Sequence, residues 1–135
     1  MADISITATS VVPGTGATIK HGYAAATITA GQVVYKDSSG TYNLADCNSA
    51  TAAVRSPYGI ALNGAATGQP VAMVIAGPVT IGATLTAGVA YYLSGTAGGI
   101  CPVADLTTGD YPTVLGMATS TTVLEVDIQE SGAAL

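Results

Sequence analysis

The chain has no Trp and no Phe, one His, two Cys, and only three cationic side chains, Lys20, Lys36 and Arg55, among 135 residues. Each shortage removes a class of function. Nucleic-acid binding needs a basic footprint to neutralise phosphates, and three scattered cations in a chain of net charge −5 do not form one. Docking on an anionic membrane surface fails for the same reason. Mean hydropathy is high at +0.51, yet no apolar run reaches the length of a membrane-spanning helix. The longest runs, such as Val71–Ala76, are strand-sized and bounded by Pro or Gly. The first residues, "MADISITATS", have neither the basic start nor the apolar core of a signal peptide, so the expectation is a chain made in the cytoplasm.

The shortages also thin out the chemistry. His21 has no nucleophile and orienting acid at any recognised spacing, and reads as an exposed or turn-capping residue. Cys47 and Cys101, with one His and no local ligand spacing, give no zinc motif. They read as free, at least partly buried thiols, a disulfide between them being the alternative. Glu125 and Asp127 stand two apart on one strand face, and read as a solvated face rather than a glycosidase pair. "PGTGATIKHG" (13–22) lacks the spacing and the strand-to-helix setting of a phosphate loop, and reads as a linker with a tight turn. Sugar-stacking aromatics are limited to Tyr, of which Tyr91 and Tyr92 fit half-buried packing better. No catalytic, cofactor or metal constellation is expected, and no small-molecule substrate; the chain does not read as an enzyme.

What is plentiful is Ala, Val, Ile, Thr and 17 Gly, a mix that suits pleated strands and tight turns. Short alternating runs punctuated by Gly, Pro, Asn and Asp predict strands from Ile4–Val11 through Val123–Ile128, with Val71–Ile75 and Val79–Ile81 as separate strands. One or two short helices are expected near Ala45–Ala53 and Asp105–Thr108, with Asp46 and Asp105 as N-caps.

One phrase is written twice. "TITAG" at 27–31 matches "TLTAG" at 84–88, an offset of 57 residues. Gly40 then matches Gly99 and Ala45-Asp46 matches Ala104-Asp105 at an offset of 59, so the second hairpin reads as two residues longer. Gly59-Ile60-Ala61 matches Gly116-Met117-Ala118, and the offset returns to 57. The matches keep their order, which indicates an internal repeat covering about 27–77 and 84–132.

The expected fold is therefore all-β, a small barrel or sandwich built from two similar β-modules. Residues 1–20 form an extended N-terminal arm and linker, and 21–135 a single β domain. The copies differ where "PVAMVI" (70–75) aligns with "VLEVDI" (123–128), placing Ala72 and Val74 opposite Glu125 and Asp127. The acidic strand has one wet face, and its apolar counterpart must be covered on both faces, by the chain itself or by another subunit. Ala72 and Val74 are thus candidate subunit-interface residues. The N-terminal "ISITATSVV" alternates like a strand and stands outside both repeats. It pairs with its own sheet or adds to an edge on a partner.

The stretches "SVVPGTGATIKHGYAAATITAGQVVYKD" (10–37), "YGIALNGAATGQPVAMVIAG" (58–77) and "GATLTAGVAYYL" (82–93) resemble the capsid cement, or head decoration, proteins of tailed bacteriophages, from about Ser10 to the end. The resemblance implies a structural virion protein made in the host bacterial cytoplasm. It would sit on the outer surface of the head, bind the major capsid protein and stabilise the lattice, often as a homotrimer at threefold positions. It also implies that the N-terminal segment, Ala2–Val12 here, reaches toward the shell. Asp3, Ile4, Ile6, Val11 and Val12 are then the candidate capsid-binding residues. The alternative from a different class is a β-type binding module, a fibre or adhesin domain recognising a surface glycan or protein.

Overall fold

A computed structural model describes residues 3–135; Met1 and Ala2, which the expected arm includes, lie outside the described residues. The fold is nearly all-β. The first module contributes β1 (Val11–Pro13), β2 (Thr18–Tyr23), β3 (Val33–Lys36), β4 (Tyr42–Leu44) and β5 (Gly59–Ala61). A long strand follows, β6 (Pro70–Ile81), then β7 (Ala90–Leu93), β8 (Ile100–Pro102), β9 (Thr113–Ala118) and β10 (Val123–Glu130). The helical content consists of 3-10 turns at Ala8–Ser10, Ala52–Arg55 and Val103–Asp105. All the pairings between strands are antiparallel, in the order β4-β3-β5-β6-β10-β9-β7-β8, and the sheet curls into a half-barrel.

That order reads the same from either edge. Hairpin β3–β4, a 3-10 turn, β5 added beside β3, then β6 is repeated as hairpin β7–β8, a 3-10 turn, β9 added beside β7, then β10. The ladders align the two copies residue by residue. Val33 faces Ile60 and Ile60 faces Val74; Ala90 faces Met117 and Met117 faces Glu125. This pairing sets Val74, not Ala72, opposite Glu125, two residues from the match the sequence suggested. The hairpin ladders pair Lys36 with Tyr42 and Leu93 with Ile100, so the second hairpin is one residue longer. The left-handed glycine equivalent to Gly40 (φ 83°) is Gly98 (φ 77°). Among the described residues every positive φ belongs to glycine.

β6 serves both modules. Its Pro70–Ala76 part pairs with β2 and β5, and its Gly77–Ile81 part with β1 and β10. At the junction Gly77 has φ 97°, and a Cβ there would come within 2.9 Å of the Ala17 backbone, so only glycine fits. The sequence reading split this strand at Gly77-Pro78. Instead, the Pro78 carbonyl accepts a bond from the Gly14 amide at 2.8 Å and the strand runs through.

The modules turn opposite faces to a shared core. In the first, Val33, Ile60 and Val74 point into the main cluster; in the second, their equivalents point away while Tyr91, Ala118 and Leu124 fill that same cluster. The first module's other face, Val34, Ala61 and Met73, is covered by a satellite cluster with Ala24, Ile28 and Ala65. Its lid is the β5–β6 connection, where Ile28 and Ala65 exchange backbone bonds of 2.8 and 2.9 Å. Between the matched pairs Ala61–Met73 and Ala118–Leu124, that connection is six residues shorter in the second module.

Several expectations are corrected. The segment expected as strand Ile4–Val11 is irregular chain followed by a 3-10 turn, with strand beginning only at Val11. The expected linker holds β2, which crosses the 20/21 boundary drawn between arm and domain. Asp46 lies ahead of the turn Ala52–Arg55, and Asp105 ends the turn Val103–Asp105, so neither is an N-cap. Asp37 does organise its hairpin. Its carboxylate accepts bonds from the Ser39 and Thr41 amides at 3.0 Å and from the Thr41 hydroxyl at 2.7 Å. The Thr41 hydroxyl is the main cause holding that carboxyl below its ordinary pKa.

Candidate binding face

The N-terminal segment folds back on its own sheet. The Ile4 amide donates to the Ile100 carbonyl at 2.9 Å and the Thr7 amide to the Gly82 carbonyl at 2.8 Å. Asp3 accepts the Ser94 hydroxyl at 2.6 Å. Ile4 and Ile6 pack on the main core, and Val11 is a buried member of it. Ile6 rests on Gly31, whose missing Cβ leaves the space that Ile6 and Val11 occupy. Four of the five candidate capsid-binding residues, Asp3, Ile4, Ile6 and Val11, are thus engaged within the chain. Their alternation served burial against their own sheet. Val12 alone points outward, 53% exposed.

Of the candidate subunit-interface pair, Val74 is corrected by its burial. Val74 is fully buried in the main core and has no side-chain surface to offer a second subunit. Ala72 is half-buried on the strand pair β2–β6, where His21 lies opposite it. Val74 is covered by the main core, and Val71 and Met73 on the strand's other face by the satellite cluster.

The second module's outer face has no such lid. Ala90, Met117, Glu125 and Pro78 form one row across β7, β9, β10 and β6, and Val12, Thr80 and Val123 form the next. Met117 is 52% exposed, and Glu125 and Asp127 are exposed. A shallow hollow of about 190 Å³ lies among Ala90, Val114, Met117, Glu125, Asp127 and Gln129. The face is a gently curved apolar sheet surface with two carboxylates standing in it. Sequence reasoning recognised the wet strand but missed Met117. The signal available was the substitution of Ile60 by Met117 between otherwise matching Gly and Ala neighbours.

Charge is divided between the modules as sharply as exposure. Residues 77–135 hold five acids, Asp105, Asp110, Glu125, Asp127 and Glu130, and neither Lys nor Arg. Residues 1–76 hold three acids and three cations, so the net charge of −5 resides in the second module. Arg55, the cation nearest to it, is stacked 3.7 Å over the Tyr111 ring, with one guanidinium nitrogen donating to the Ser49 carbonyl.

Cys47 and Cys101 are free and buried, and each thiol is pushed up to about 12, foremost by burial and next by Asp110 for Cys47 and Asp3 for Cys101. Asp3, Cys101 and Asp105 bring one donor atom each within 4.8 Å of one another, a grouping of distant positions that spacing could not reveal. Cys101 is buried, Asp3 and Asp105 are half-buried, and Asp3 also accepts the Ser94 hydroxyl. His21 is exposed on β2, and Tyr91 is buried with its hydroxyl accepting from the Thr86 amide at 2.9 Å. No protein-family model matches the chain, and no curated protein matches it.

Proposed function

We propose that this chain is a structural virion protein that binds the outer surface of a phage head and stabilises the capsid lattice. The observation that carries the reading is the uncovered outer face of the second module, where Ala90, Met117 and Glu125 replace the buried Val33, Ile60 and Val74. One copy of a duplicated scaffold is closed on both sides, and the other keeps a broad surface open. A broad surface suits a protein partner. The resemblance at residues 10–37, 58–77 and 82–93 supplies the class of partner, the major capsid protein. A ligand that binds only the assembled lattice stabilises that lattice by mass action. Where three copies associate, linked contacts raise the effective concentration, so each contact can be weak. Such a trimer uses a surface other than Val74.

The test is co-sedimentation of purified protein with undecorated heads. Saturable binding, with heads that then withstand more heat or chelator before rupture, is the expected result. A protein that stays in the supernatant at every concentration refutes the reading.

A second reading, a fibre or adhesin domain recognising a surface glycan or protein, rests on a different feature. A hollow of about 370 Å³ is lined by Ser5, Thr7, Ser10, Thr80, Thr84 and Thr122. Hydroxyls of this kind can hydrogen-bond sugars. Saturable glycan binding without head binding would favour it.

A further inference from the structure

We infer that the open face of the second module docks onto a basic patch of the capsid protein that is apolar at its centre; this rests on the decoration reading above. The apolar part of the contact is Met117 flanked by Ala90, Val114 and Val123, with Val12 at the β1 edge. Glu125 lies directly opposite Met117 on the neighbouring strand, and Asp127 follows on the same strand beside the same hollow. The second module supplies neither carboxylate with a cation, since residues 77–135 contain no Lys or Arg. Arg55 is engaged with Tyr111 and Ser49.

Complementarity then selects the partner. A second copy of this chain docking by the same face would set Glu125 and Asp127 against their own equivalents, and juxtaposed like charges oppose association. A neutral apolar partner would strip water from two carboxylates and return nothing. A surface offering Lys or Arg around an apolar centre satisfies the acids and covers Met117. Arg fits best, since its planar fork meets a carboxylate with two bonds. Methionine suits the centre because its flexible thioether adapts to an irregular partner surface. The closed counterpart face explains why one side of the molecule serves: in the first module the same ladder positions are Val33, Ile60 and Val74, sealed inside the core.

The experiment compares head binding of the full-length wild type with two variants of equal net charge. Glu125→Gln with Asp127→Asn removes two negative charges from the face. Ser38→Lys with Thr67→Lys adds two positive charges at exposed turns of the first module. Binding is read by co-sedimentation with undecorated heads across a salt series. The face variant should bind about tenfold more weakly and lose most of its salt dependence, while the turn variant stays within about twofold of wild type. Circular dichroism and urea midpoints check that both variants are folded. A face variant that binds heads as tightly as wild type, with the same salt slope, overturns the inference and leaves the decoration reading intact. A wild type that binds no head overturns both.

Discussion

The two glycines of the repeated Thr-Ala-Gly phrase should respond differently to the same substitution. Gly31 has φ 91° and Gly88 φ 83°, so alanine at either position enters the left-handed region at about 1–2 kcal/mol. At Gly88 nothing lies within 4 Å of the added Cβ, and the cost ends there. At Gly31 the new methyl would stand 2.5 Å from Ile6 Cγ2 and 3.3 Å from Val11 Cγ2. Both neighbours are β-branched, stiff at χ1, and cannot swing aside cheaply. Displacing them adds about 1–3 kcal/mol, the usual range for overpacking. Gly31→Ala should therefore lower the urea midpoint clearly more than Gly88→Ala, at constant m-value. Adding Ile6→Ala should shrink the Gly31→Ala cost toward that of Gly88→Ala, a coupling that a double-mutant cycle reads directly. Equal costs at the two glycines, within about 0.5 kcal/mol, would refute the seating of the N-terminal segment on Gly31.

Other expectations follow from the same geometry. Val74→Asp should prevent stable folding, because it buries an unpaired carboxylate, whereas Glu125→Val at the equivalent ladder position should shift stability by less than about 0.5 kcal/mol; similar costs for both would contradict the opposed faces. Removing residues 1–10 strips Ile4 and Ile6 from the core and should cost about 2–4 kcal/mol in urea unfolding, an unchanged midpoint being the contrary result. Both thiols have folded-state pKa values raised from 9.0 to about 12, so the stability they contribute is complete below pH 9 and lost as pH rises toward 12. Urea midpoints should fall between pH 8 and pH 10.5, and the fall should be shallower in the Cys47→Ala, Cys101→Ala double variant; a flat wild-type profile would contradict the burial of the thiols. Gly59→Ala and Gly116→Ala should both destabilise, by about 1–3 kcal/mol, because each Cβ would collide with a facing carbonyl, that of Val74 or of Glu125; a harmless substitution at either would break the equivalence of the modules.

The β-class and the duplication were legible because they are written in side-chain type and turn chemistry. Thr-Ala-Gly, the Gly-led strands β5 and β9, and the Asp37–Gly40 turn each carry a local physical reason. Strand β2 was not legible: Thr18-Ile19-Lys20-His21 lies exposed and is held by backbone pairing with β6, so it shows no hydrophobic alternation. The candidate face was half legible. Glu125 and Asp127 announced a wet strand, yet which face of the matching strand lies inward depends on the turn at Gly77, where the chain reverses the inward parity of the two modules. The role of the N-terminal segment was undetermined for a related reason. An alternating Ile-Ser-Ile pattern fits burial against any sheet, and the backbone bonds to Ile100 and Gly82 together with the free volume above Gly31 assign it to its own.

Oxidative footprinting of Met117 on heads tests the central claim most directly. Met117 is half exposed and Met73 fully buried, so peroxide should convert the first to its sulfoxide and spare the second in the free protein. On saturated heads, mass spectrometry should show Met117 oxidation slowed several-fold, with Met73 unchanged as the internal standard. A protein that pellets with heads while Met117 oxidises at its free rate would contradict the account.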